Sequence, residues 1–360
     1  MDVDRLQSQT VAWLRYPLMV LIVIIHTDSA LLSSMPNWGV SETVFCMLRT
    51  VVRVAVPLFF IFSGYWFFRQ PEEFTLESYK EKISKRVRTL LVPYLLWNIF
   101  AWLLHYVIII CQGHAEWITI RQFHPDKLAD LFFGFGEGYS GMPKAFQLWF
   151  LRDLMVVCLL APQLYMLLKH RRTAIVTLLC FTALYLAAWN MGWHPILNRF
   201  PSALLFFSVG AYLGIHKENM VEAARKVPVW ISVTVPTLLM CWNVWLLMHS
   251  NPAYLYAESL FSIAATVPTL QVAAWLVEKH GVKPVKWLSG SAFLLFAVHP
   301  LIIQNLVVDP LIGCLEPTQL NFWLVLTAEV AVPVVLCAIL HLLAVRFIPR
   351  TASLFSGNRK

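Results

Sequence analysis

The sequence predicts an all-α integral membrane protein of about ten transmembrane helices, with both termini cytoplasmic and no soluble domain. Composition, the spacing of apolar runs and the placement of basic residues each point there. Of 360 residues, 59% are hydrophobic and 13% are charged. Soluble domains are roughly a quarter charged and under half apolar, and a single aqueous domain cannot hide so much apolar surface. A secreted soluble enzyme, a disordered chain and a disulfide scaffold are excluded. The 24 Phe, 15 Trp and 11 Tyr suit interfacial belts and helix packing.

A helix needs ~20 mostly apolar residues to cross ~30 Å of hydrocarbon. Ten such runs occur: 14–32, 50–68, 89–111, 146–168, 174–192, 199–216, 228–248, 258–278, 288–308 and 321–346. One transmembrane domain, 1–346, is expected, followed by a short basic cytoplasmic tail, 347–360. With both termini inside, 21 of the 28 Lys and Arg fall on the cytoplasmic side. That is the positive-inside pattern. The net charge of +8 therefore reflects topology, and no nucleic-acid partner is expected.

The first run resembles a signal-peptide core, with ten apolar residues at 16–25 after a charged start. It lacks a clear small-x-small cleavage site, although Ser29 and Ala30 are nearby, and is read as a retained span. Before the third run, Leu76, Tyr79, Ile83, Val87 and Leu90 recur every three or four residues, with Lys and Glu between them. They predict an amphipathic helix on the inner surface. The longest gap, 112–145, is an extramembrane loop, with a short helix expected at Pro125 to Phe133. The formal GxGxxG at Gly136–Gly141 has no βαβ unit around it and reads as loop. The seven Cys form no CxxC pair and read as small hydrophobes. No metal-ligand cluster and no Walker A motif occur, so an ATP-driven pump is not expected.

Ionisable residues inside spans are costly and mark function or a satisfied internal pair. Arg15 and His26 are eleven residues apart, three helical turns, so they share a face about 16 Å long. Arg15 is expected at the cytoplasmic end, and His26 inside the span toward the outside. An imidazole titrating near neutrality suits a general base; a structural hydrogen bond is the alternative. Arg53 is placed near the outer end of span two, either snorkelling outward or holding an anion, with Pro57 free to kink that helix. Trp149, Arg152 and Asp153 open span four. Neighbours on a helix point about 100° apart, so Arg152 and Asp153 are not expected to pair with each other. They are candidates for anion or carbonyl binding and for orienting a His or a sugar hydroxyl, with an interhelical ion pair as the alternative. His299, before Pro300, and Glu329 lie near the middles of spans nine and ten and are cavity candidates. Arg86 and Arg88 are either inner-surface charges or an anion site for a phosphate-bearing ligand.

Six strings in order resemble the acyltransferase-3 family: RYPLMVLIVIIH (15–26), RVAVPLFFIFSGY (53–65), KRVRTLLVPYLLW (85–97), LWFLRDL (148–154), FFSVGAYLG (206–214) and SGSAFLLFAVHPLI (289–302). The Arg86-x-Arg88 spacing departs from the Arg-x-x-Arg of many members, and some members carry a fused hydrolase-like domain. The pattern is most similar to the stand-alone surface-polysaccharide O-acetyltransferase branch. The resemblance implies transfer of an acetyl or similar short acyl group from cytoplasmic acyl-CoA to a hydroxyl of an extracytoplasmic or lipid-linked glycan. Acetyl-CoA would be the donor, with no permanently bound cofactor. The setting would be the cytoplasmic (inner) membrane, and a homo-oligomer is compatible. His26 would deprotonate the acceptor or carry the acyl group. Arg53 or Arg152 would stabilise the oxyanion, and Asp153 or Glu329 would orient the imidazole or bind the sugar. Arg15, Arg86 and Arg88 would meet the CoA phosphates, and Trp149 and His299 would line the cavity. A secondary transporter of a glycan precursor or organic anion is the competing class.

Overall fold

Prolines stand at several of the bends and changes of helix type in a helical chain. The computed structural model describes residues 2–27, 39–69, 74–111, 113, 125–136, 141–191, 194–312 and 314–357. Asp28, Ser29, Ala30 and most of the Gly136–Gly141 stretch lie outside them. Among the described residues the secondary structure is helical, without strands. Eight helical stretches are long and apolar enough to cross a membrane: Val3–Ile25, Gly39–Phe68, Leu76–Cys111, Pro195–Ile215, Val229–Met248, Tyr254–His280, Lys286–Leu311 and Gln319–Phe347. The pair Phe146–Leu159 and Ala161–Leu168 adds a ninth if its 62° bend is one broken span. Pro162 opens the second half of that pair, and its missing N–H explains why the run expected as one span, 146–168, is broken. The expected span at 174–192 is a shorter helix, Arg171–Ala187, closed by a 3-10 turn at Ala188–Asn190.

Three other prolines stand beside a change of helix type. Pro57 leaves the Arg53 carbonyl without its usual donor, and the chain tightens into a 3-10 turn at Val52–Val54. Pro93 follows a π-helical turn at Val87–Leu91, and Pro300 precedes one at Ile303–Val308. The first helix begins at Val3, eleven residues before the expected start, and ends at Ile25. The hydropathy reading missed its first turns because Asp4, Arg5, Gln7 and Gln9 dilute them. Leu6, Thr10, Val11 and Leu14 still give them a buried face.

The chain forms two compact units, Met1–Gln70 with Phe206–Leu343, and Pro71–Leu205 with Ala344–Lys360. In the first unit, glycines allow backbone contact. A Cβ on Gly64 would stand 2.0 Å from the Phe207 carbonyl oxygen, and one on Gly210 would stand 2.0 Å from that of Ile61. Only glycine permits this approach, so the motif strings 53–65 and 206–214 meet as a small-residue crossing. Buried polar side chains add cross-links. Gln7 donates to the Tyr65 hydroxyl at 2.9 Å and accepts from Met220 N at 2.5 Å, and Asn243 donates to Thr50 at 2.9 Å.

In the second unit, the amphipathic helix Leu76–Arg86 starts with a reciprocal Thr75–Ser78 capping box. Part of its apolar face packs on Trp149–Leu159: Tyr79 donates to the Leu159 carbonyl at 3.1 Å and, beyond the helix, Leu90 is buried. The expected tail contains a helix, Pro349–Ser356, packed on Val92–Cys111. Trp97 Nε1 donates to the Phe355 carbonyl at 3.0 Å there.

Candidate functional site

The first unit holds Arg15, His26, Arg53, His299 and Glu329. His26 caps the C-terminus of the first helix and is half-buried, so it stands at a helix end and not inside a span. Arg15 lies near the middle of that helix, exposed, and not at its end. The first correction follows from the helix ending at Ile25 and the second from its start at Val3. The eleven-residue spacing still puts them on one face, about 16 Å apart along the axis.

The His26 and His299 rings have centroids 5.1 Å apart, tilted by 38°. His299 is wholly buried, and its Nδ1 lies 2.9 Å from the Leu295 carbonyl and 3.1 Å from that of Phe296. Its Nε2 is buried with no hydrogen-bond partner. Glu329 is also fully buried, on Gln319–Phe347.

Arg53 sits in the 3-10 turn at the centre of a 30-residue helical stretch, not near its end. Its Nε is 3.1 Å from a Glu258 carboxylate oxygen, with both side chains largely shielded. It is also within electrostatic range of His26. Sequence reasoning missed Glu258 because it falls at a span boundary, where a carboxylate looks interfacial. The signal available was a single acid, four residues after Tyr254, opening an apolar run.

The second unit holds Arg86, Arg88, Trp149, Arg152 and Asp153. Trp149 is the first residue of its α-helix. Arg152 and Asp153 do pair, against expectation: Arg152 Nε lies 2.9 Å from Asp153 Oδ1, and the residues are 6% and 1% exposed. The 100° between neighbouring Cβ directions constrains short side chains, but the long arginine folds back to its neighbour. Its Nη1 donates to the Phe133 carbonyl at 2.9 Å and the Gly141 carbonyl at 2.8 Å. Arg152 thus closes the C-terminus of Pro125–Phe133 and ties down the following loop. Arg152 Nη2 and Asp153 Oδ2 are buried, with no hydrogen-bond partner among the described residues. Arg199 lies within electrostatic range of both.

A groove of about 280 Å³ runs from Arg86, past Val87, Leu91 and Tyr94, to Phe133 and Arg152. The Tyr94 hydroxyl donates to the Phe132 carbonyl. Arg86 lines the groove, whereas Arg88, two residues on, is exposed. Two residues turn an α-helix by about 200°, so these two arginines do not share a face. Lys82, one turn before Arg86, does share it and lies within its electrostatic range.

A half-buried imidazole beside a buried one, a shielded Arg–Glu pair and apolar surroundings can move a proton and stabilise a developing anion. The comparison that bears on this chemistry is a family model described as an acyltransferase domain, which matches residues 9–342. The chain belongs to this family. It is a multi-pass, all-α membrane protein of the acyltransferase class. The acyltransferase is also similar to the "Succinoglycan biosynthesis protein ExoH" of Rhizobium meliloti (strain 1021), with 24% identity over 276 residues, 74% of this chain and 70% of that protein. No solved structure matches the acyltransferase.

Proposed function

We propose that this acyltransferase moves an acetyl or similar short acyl group from acyl-CoA to a hydroxyl of a cell-surface or lipid-linked glycan. Its place would be the cytoplasmic membrane, with both termini in the cytoplasm. The carrying observation is the half-buried His26, beside buried His299 and within reach of the Arg53 charge, in a chain of the acyltransferase family. The name of the ExoH relative supports a polysaccharide acceptor.

In this reading His26 takes the proton of the acceptor hydroxyl. The hydroxyl oxygen attacks the thioester carbonyl, forming a tetrahedral oxyanion that Arg53 stabilises. The carbon–sulfur bond then breaks, and the leaving thiolate takes the proton from His26. Glu258 holds the Arg53 guanidinium in place. Arg15 in the first unit, and Arg86 and Arg88 in the second, are each candidate cations for the donor's phosphates, with Lys82 within electrostatic range of Arg86. Arg152 Nη2 and Asp153 Oδ2, an unpartnered donor and acceptor, suit a sugar hydroxyl or a carbonyl, and Glu329 and Trp149 suit the saccharide. No permanently bound cofactor enters the scheme.

Mass spectrometry of surface glycans from a null strain, with and without the complementing protein, tests the proposal. Acyl mass appearing only on complementation is expected. Identical glycans, with complemented protein present in the membrane, would refute it.

A further inference from the structure

Pro300 has no N–H, so the Phe296 carbonyl one turn before it loses its backbone donor. The structure repairs that loss with a side chain: His299 Nδ1 sits 3.1 Å from the Phe296 oxygen and 2.9 Å from the Leu295 oxygen. Two carbonyls are acceptors only, so Nδ1 must carry the proton. In a neutral imidazole the lone pair then belongs to Nε2. That atom is fully buried and has no partner. A buried acceptor left unmatched is destabilising, so the site favours a donor there.

The His26 ring lies 5.1 Å away, centroid to centroid. With ring atoms roughly 1.2 Å from each centroid, facing edges can come to about 2.7 Å, hydrogen-bond range. His26 caps the first helix, which sets its ring beside that of His299.

We propose that His299 is a positioning residue: its Nε2 accepts the remaining ring N–H of His26 and thereby fixes the opposite His26 nitrogen as the proton acceptor. The dipeptide His299-Pro300 is the device. The proline frees a carbonyl, the carbonyl fixes the His299 tautomer, and that tautomer selects the His26 tautomer. No proton passes to His299; it holds a hydrogen bond while His26 takes and returns the acceptor's proton. This inference rests on the reading of His26 as the base.

The test uses the full-length protein, labelled with 15N-histidine, in detergent. Ring-nitrogen shifts report tautomers, with His26 and His299 assigned by single His→Gln variants. His299 is expected with a protonated Nδ1, and His26 as a single tautomer. His299→Phe should mix the His26 tautomers and lower glycan acylation at least tenfold at equal protein level. His299→Gln, which keeps a buried acceptor, should restore most of the acylation. A purely structural role would leave the His26 tautomer unchanged. A protonated Nε2 on His299, or an unaltered His26 tautomer in His299→Phe, overturns the proposal. If His299→Phe does not accumulate, Pro300→Ala supplies the missing backbone donor to Phe296. It should then loosen the His299 tautomer, and an unchanged tautomer there counts against the device. Full acylation by His26→Ala would refute the reading of His26 as the base, whereas the tautomer measurements judge the pairing by itself.

Discussion

Replacing Arg152 with Met separates a guanidinium that holds structure from one that only faces a ligand. The side chain is 6% exposed and makes three hydrogen bonds of 2.8–2.9 Å, to Asp153, Phe133 and Gly141. Met fills similar volume but leaves a carboxylate that is 1% exposed without its cation. Removing one member of a buried ion pair costs about 3–5 kcal/mol, because the other charge is stranded. At ~2 °C per kcal/mol for a chain of this size, apparent Tm should fall by about 6–10 °C. Arg152→Met combined with Asp153→Leu removes the stranded charge as well, and should recover about 1–3 kcal/mol of the loss. The assay is thermal unfolding of detergent-purified protein, read by size-exclusion recovery after heating. A single variant within 1 °C of wild type (about 0.5 kcal/mol by the same conversion) would refute the argument. So would a double variant no more stable than the single.

Three further outcomes follow from the geometry. Gly210→Leu should prevent folding or reduce yield severely, because its Cβ alone would stand 2.0 Å from the Ile61 carbonyl oxygen, and overpacking costs about 1–3 kcal/mol or more; wild-type yield and Tm would contradict the helix crossing. Glu258→Gln should leave Arg53 unneutralised 3.1 Å from an amide, lowering acylation about tenfold with modest loss of stability, since the pair is partly exposed; unchanged acylation would remove Glu258 from the scheme. Acetyl-CoA affinity, measured in detergent, should fall about tenfold in Lys82→Ala with Arg86→Ala. Arg88→Ala, which lies off that face, should weaken binding less; the reverse order would place the anion on the Arg88 side.

Fold class was legible because apolar runs of membrane length are a bulk property of the sequence. Helix boundaries were less legible. The first helix hides its start behind Asp4, Arg5 and Gln7, whose polarity lowers the local average although Leu6 and Val11 are buried. The bend after Leu159 was visible only as Pro162, and a proline alone does not say whether a helix kinks, tightens or breaks. At the candidate site, His26, Arg53, His299 and Glu329 stood out because charge is rare in such a chain. The Arg152–Asp153 contact did not, since it depends on the arginine's rotamer and not on helix phase. Glu258 was hidden by position, and Lys82 by its place in a run of ordinary surface lysines. The role of Pro300 needed the His299 hydrogen bonds to be seen.

The central claim is that His26 carries the proton in acyl transfer. It is tested most directly by reconstituting wild type and His26→Ala in liposomes with acetyl-CoA and the purified acceptor glycan, and measuring acetyl groups on the glycan. The account predicts transfer by wild type and at least a hundredfold loss in His26→Ala, as expected when a general base is removed, with the variant folded and at equal density. Transfer by His26→Ala at the wild-type rate would contradict it.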